Sequence, residues 1–109
     1  MQANPIDISP KDLKTVINIL NKHVPEYEVR AFGSRAKWTA NDSSDLDLVI
    51  MTDKPLPTIK MAELKDDLSE SDLPFKVDIL DWADTKESFR KIIEKKTELI
   101  KNKNQTLKE

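Results

Sequence analysis

Three carboxylates and one glycine define the chemistry this chain could attempt. Asp45 and Asp47 lie two apart in DLDLVIM (45–51), and on a strand that spacing turns both side chains to one face. Their Cα atoms would then be about 6.6 Å apart, where two anions repel by roughly 2.5 kcal/mol at an effective dielectric of 20. Leu46, Leu48 and Ile50 commit the other face to the core, so the acids cannot rotate away freely. Asp78 is embedded in the same manner in FKVDIL (75–80). Acids are depleted in strands and seldom buried unpaired, so three of them in short apolar strands need a shared reason. A hard divalent cation provides one, because Mg2+ takes few carboxylate oxygens and leaves positions for water or phosphate. The plain alternative is exposure at strand ends or pairing with Arg30, Arg35 or Lys76. D-x-D taken alone is a weak motif in an acidic chain.

Gly33 is the only glycine in 109 residues, where average usage would give about eight. It ends the strand-forming run YEVRAF (27–32) and precedes Ser34 and a short helical segment, SRAKW (34–38). A strand that stops at Gly-Ser and opens a helix presents backbone N–H groups and a hydroxyl together, a corner suited to phosphate oxygens. Glycine lets the backbone approach an anion with no side chain in the way. A phosphate corner beside metal-binding acids reads as a site for a nucleoside triphosphate with Mg2+.

These residues must be held by a small scaffold. The length suits a single domain, expected over 1–109 with its core at about 9–101 and a polar tail, 102–109, that frays. Ser9-Pro10-Lys11-Asp12 is a helix start, and Leu13, Val16, Ile17 and Leu20 continue it as one stripe until Pro25. His23, the only histidine, is expected at that helix's C-terminal cap. Residues 27–32, 45–51 and 75–80 read as strands, with a helix over 58–70 between the second and third. Asp84-Thr85-Lys86-Glu87 offers a capping-box start, and Phe89, Ile92, Ile93 and Ile100 continue with helical spacing. The predicted order is α-β-α-β-α-β-α, an α/β (α+β) layer on a small mixed three-stranded sheet.

The absence of cysteine excludes disulfides and thiolate chemistry. No apolar run approaches a membrane span, and the N-terminus lacks a secretion-signal pattern, so a cytoplasmic protein is expected. Net charge is −2, but unevenly spread: residues 1–85 carry 10 basic and 16 acidic side chains, and residues 86–109 carry 8 and 4. The near-neutral total argues against a dedicated nucleic-acid binder. The basic last helix is either a solvated face or a docking surface.

With Gly33-Ser34, ten intervening residues, Asp45-Leu46-Asp47 and then Asp78 in VDIL, the chain resembles the nucleotidyltransferase superfamily of DNA polymerase β. It is most similar to the minimal single-domain members, across residues 11 to about 82. The resemblance implies a nucleotidyltransferase-like fold, a triphosphate held at Gly33 and Ser34, and two Mg2+ held by Asp45 and Asp47. It implies that Asp78 binds one metal and helps deprotonate the attacking hydroxyl. Arg35 is a candidate second phosphate contact, and Lys37 a weaker one. Minimal members often read GSRARG, whereas Lys37 and Trp38 fill the last two places here. Trp38 is expected to cover the core, with stacking on a base as the alternative. Asp81 competes with Asp78 for the third acidic role, but Asp78 sits inside its strand.

Such members resemble the antitoxin half of the HEPN–minimal nucleotidyltransferase pairs. The implied activity is Mg2+-dependent transfer of AMP from ATP to a tyrosine of a helical HEPN toxin, in a hetero-oligomer. Two other readings stand beside it: a catalytic subunit modifying a small hydroxylated substrate such as an aminoglycoside, and a non-catalytic module that neutralises its partner by contact.

Overall fold

A computed structural model describes residues 6–103. Helix α1 (Pro10–His23) starts where Ser9 Oγ accepts the Asp12 N–H at 3.1 Å, with proline in the first turn. It ends before Pro25, and the Val24 N–H closes the last turn on the Leu20 carbonyl. Strand β1 (Val29–Phe32) follows, then the one-turn helix α2 (Ser34–Lys37), strand β2 (Leu46–Ile50) and helix α3 (Thr58–Ser69). Strand β3 (Val77–Asp81) leads through a 3-10 turn at Trp82–Asp84 into α4 (Glu87–Glu94), and β4 (Glu98–Lys101) completes the order.

The four strands form one mixed sheet in the order β3-β2-β1-β4. β1 pairs antiparallel with both β2 and β4, while β2 and β3 run parallel. A parallel pair requires a crossover, and α3 supplies it. Alternation along the strands then divides the sheet into two faces. Val29, Ala31, Leu46, Leu48, Ile50, Ile79 and Ile100 join Val16, Leu20, Leu64 and Leu68 in the main core under α1 and α3. The opposite face carries Arg30, Phe32, Asp47 and Val49. Helix α4 reaches this side, where Phe89 meets Phe32 edge-on with ring centroids 6.0 Å apart. Val49 and Ile93 are buried but lie outside the main core.

The sheet has four strands rather than the three expected, and the last helix ends at Glu94 instead of running on to Ile100. Ile100 falls seven residues after Ile93 and so keeps helical phase, but it is buried from a strand. Lys101 holds that strand in place: its ammonium donates to the carbonyls of Tyr27 (2.6 Å), Asn102 (3.1 Å) and Pro25 (3.4 Å). Burial pushes its pKa down, with Glu26 opposing. The packed region also begins earlier than residue 9, because Ile6 and Ile8 are buried in the core. Of the expected frayed tail, residues 104–109 lie outside the described residues. His23 bonds sideways to Asp67 Oδ2 at 2.8 Å, joining α1 to α3, and Lys60 Nζ donates to the His23 carbonyl. Among the described residues no helix is long and apolar enough to cross a membrane.

Candidate active site

The sheet register assembles the acids. Asp47 is opposite Asp78 across the parallel β2–β3 pair, and opposite Phe32 across the antiparallel β1–β2 pair. Directly paired residues share a face, so both carboxylates stand on the α4 side. Asp45 precedes β2 by one residue and couples electrostatically to Asp47. Partial burial pushes the Asp47 carboxyl above the usual carboxylate range, and the negative charges of Asp78 and then Asp45 add to the shift. That ordering fits Asp47 as the central member of the three.

Gly33 meets the same carboxylate. It has φ 78° and ψ −160°, a region essentially restricted to glycine. A Cβ there would overlap Asp47 Oδ2 and come within 3.2 Å of Asp47 Cγ. The glycine is therefore required twice, by its backbone conformation and by the closeness of the acid. It caps α2 with no side-chain hydrogen bond, while its carbonyl accepts from the N–H groups of Ala36 and Lys37, both at 3.1 Å. The strand, the glycine and the first turn of α2 thus form one corner, with Asp47 packed against it.

Arg35 departs from the expectation of a phosphate contact. Its side chain is turned inward, and the residue is 7% exposed. The guanidinium donates to the carbonyls of Asp7 (2.7 Å) and Ser44 (2.9 and 3.1 Å) and lies 4.3 Å from the Phe75 ring centroid. Trp38 does not cover the core. It is 54% exposed and occupies the left-handed region, φ 60° and ψ 34°, as the C-cap of α2. Asp81 is engaged elsewhere: it accepts from the Thr52 hydroxyl and from the Leu56 N–H at 2.6 Å, fixing the loop after β2. Asp78 is left as the β3 acid beside Asp47.

Among the described residues, no group of three His, Asp or Glu side chains stands ready to hold a metal ion. The donor chemistry nevertheless fits a hard divalent cation. All three groups are carboxylates, and the repulsion that Asp47 feels from both neighbours is what such a cation would relieve.

Sequence reasoning missed the contribution of α4 to this face. Phe89 and Ile92 are exposed apolar residues on that helix, Ile92 at 58%. Arg90 folds back to donate to the Trp82 carbonyl at 2.7 and 3.2 Å and lies over that indole. Lys96 reaches Glu98 at 2.6 Å. The alternation of charged and apolar residues in this segment was visible in the sequence, but its contact with Phe32 on this face of the sheet was not.

The family model described as "Polymerase beta, Nucleotidyltransferase" matches residues 14–106. A protein of Haemophilus influenzae (strain ATCC 51907 / DSM 11121 / KW20 / Rd) named "Probable protein adenylyltransferase MntA" is 48% identical over 102 residues, 94% of this chain and 90% of that one. A solved toxin–antitoxin with AMP-PNP superposes with a TM-score of 0.71 at 22% identity, covering 84% of this chain and 73% of that one. A solved complex of tri-AMPylated Shewanella oneidensis HEPN toxin with MNT antitoxin gives 0.66 at 20% identity, covering 84% and 71%. At those identities the two structures show likeness of fold.

Proposed function

The chain belongs to the polymerase beta nucleotidyltransferase family, and from that membership we propose that it transfers AMP from ATP to a tyrosine hydroxyl of a HEPN partner protein and thereby acts as its antitoxin. The observation that carries this reading is Asp47, packed against the Gly33 corner, opposite Asp78 in the β2–β3 register and coupled electrostatically to Asp45. The 48% identity to a probable protein adenylyltransferase supports a protein acceptor.

The reaction is an in-line displacement. The acceptor oxygen forms a bond to the α-phosphorus while the bond from that phosphorus to the bridging oxygen breaks. Pyrophosphate leaves, and the acceptor's proton passes to a carboxylate. Gly33 and Ser34 hold the triphosphate, with the glycine giving backbone access to the anion. Asp45 and Asp47 would hold Mg2+, with Asp78 sharing one ion. When bound, the metal would neutralise charge developing on the attacking and leaving oxygens. Asp78 lies on the exposed edge strand, open to an incoming hydroxyl, and takes the proton there. Asp47 fixes the distance between this acceptor of protons and the phosphate corner, because it pairs with Asp78 on one side and packs on Gly33 on the other.

The test is incubation with ATP labelled at the α-phosphate, Mg2+ and a HEPN partner protein. Label should pass to the partner with wild-type protein and fail to pass with Asp47→Asn. Label transferred equally by both would refute the metal assignment. Neutralisation of the partner without any label would favour a binding module.

A further inference from the structure

We propose that Arg35 is a positioning residue, locking the phosphate corner to the two segments that launch the catalytic carboxylates. This deepens the adenylyltransferase reading and rests on it. Arg35 is the second residue of α2, two places after Gly33. Its Nε and Nη2 both donate to the carbonyl of Ser44, the residue before Asp45, at 3.1 and 2.9 Å. A weaker contact from Nη2 reaches the Asp42 carbonyl at 3.5 Å. The flat face of the guanidinium covers Phe75, three residues before Asp78, with its carbon 4.3 Å from the ring centroid. Nη1 donates to the Asp7 carbonyl at 2.7 Å, and the Asp7 N–H returns a bond to the Arg35 carbonyl at 2.8 Å. One side chain therefore touches the approaches to Asp45 and to Asp78, while its backbone forms the phosphate corner.

The chemistry of the group suits this work. A planar guanidinium carries five donors in a fixed fork and stacks on a ring, whereas an ammonium is a point charge with three rotating donors. Between Gly33 and Asp45 the chain has no strand pairing and only the one-turn α2, so the Ser44 end of this segment depends on side chains for its place. Asn41 orders the segment from within, its Oδ1 accepting the Ser43 N–H at 2.9 Å. Arg35 attaches that ordered turn to α2. A side chain so enclosed and so bonded has another task than reaching out to phosphate.

The test separates positioning from phosphate contact and from bulk stability. Arg35→Lys keeps the charge and loses the fork. Thermal melting sets a temperature at which both proteins are folded, and there kcat for label transfer to the HEPN partner should fall about a hundredfold, the scale of a 1 Å misplacement. KM for ATP should change less than about threefold, because the corner itself is intact. Backbone amide resonances of 44–47 and 76–78 should shift, while those of α1 and α3 stay. A phosphate contact would instead weaken ATP binding roughly 10- to 100-fold, as expected for losing a charged hydrogen bond. That result, or an unchanged kcat in the folded variant, overturns the proposal. If Arg35→Lys does not fold, Phe75→Leu removes the stacking surface and leaves the hydrogen bonds. It should lower kcat in the same sense, and an unchanged kcat would count against the proposal equally. Were the wild type to transfer no label, the functional reading would fall, and the amide shifts would still report whether Arg35 orders the carboxylate segments.

Discussion

Gly33 and Asp47 are so close that no side chain fits between them: a Cβ on the glycine would overlap the acid's Oδ2. Gly33→Ala should therefore fail for two separable reasons. Its backbone, φ 78° and ψ −160°, costs about 1–3 kcal/mol for a residue with a Cβ. The displaced Asp47 carboxylate adds a further loss and removes activity. In an Asp47→Ala background the second part should vanish and the first remain. A double-mutant cycle by chemical denaturation measures the difference, and full additivity would show that the two residues do not press on each other.

Asp47 also makes stability depend on pH. Burial, Asp78 and Asp45 raise its folded-state pKa above the unfolded value. The folded protein therefore binds the proton more tightly than the unfolded chain, and this group's contribution to stability falls as pH rises through the carboxylate range. Asp47→Asn should raise Tm at neutral pH in metal-free buffer. The gain should shrink to nothing below the ordinary carboxylate pKa, where the wild-type group is protonated in both states. Melting curves across that range check it, and a gain that grew toward acid would reverse the sign of the argument.

Trp38 occupies a left-handed C-cap position better suited to glycine. Trp38→Gly should relieve strain of about 1 kcal/mol and raise Tm by roughly 4–8 °C for a domain near this size. Loss of partner binding in the same variant would mean that the exposed indole is kept for an interface. An unchanged or lower Tm would show that its ring contacts outweigh the backbone cost.

The basic segment around α4 offers fewer free charges than its composition suggests. Lys96 is paired with Glu98 and Arg90 is held on the Trp82 carbonyl; Lys86 is exposed ahead of the helix, and Lys91 and Lys95 flank exposed Ile92. Exposed rim charges alter association rate and its salt dependence more than final affinity. Reversing Lys91 and Lys95 to Glu should slow association with a HEPN partner at low salt, less so at high salt, and leave turnover of the pre-formed complex nearly unchanged. Stopped-flow rates at two salt concentrations decide it. Equal rates would make this a solvated face.

Much of the site was legible because its logic is local. The two-residue spacing of Asp45 and Asp47, the apolar setting of Asp78 and the rarity of Gly33 each carry their reason in neighbouring residues. The register that sets Asp47 opposite Asp78 across β2–β3 came only from the structure. β4 was not legible, since Ile93 and Ile100 keep helical phase and no glycine or proline marks the turn at 95–97. Its strand character comes from pairing with β1, nearly seventy residues earlier, and long-range pairing overrides local preference. The surroundings of Arg35 were not legible for a related reason. A sequence states its charge but not the carbonyls of residues 7 and 44 that surround it.

The parallel pairing of β2 with β3 makes the separation of Asp47 from Asp78 a stepped quantity. Side chains alternate across a strand, so slipping β3 by one residue would bury Asp78 and present Val77 or Ile79 on the face that carries Asp47. Leu64 and Leu68 of the crossover helix, packed on the core face with Ile79, oppose such a slip. Changes in length at the exposed tips of the loops at 51–57 and 70–76, away from Thr52, Leu56 and Phe75, can then be absorbed without changing that register. The register is in this sense digital: the pairing of Asp47 with Asp78 is kept or lost in whole-residue steps, and finer displacements are left to the side chains that hold the approaches to each acid.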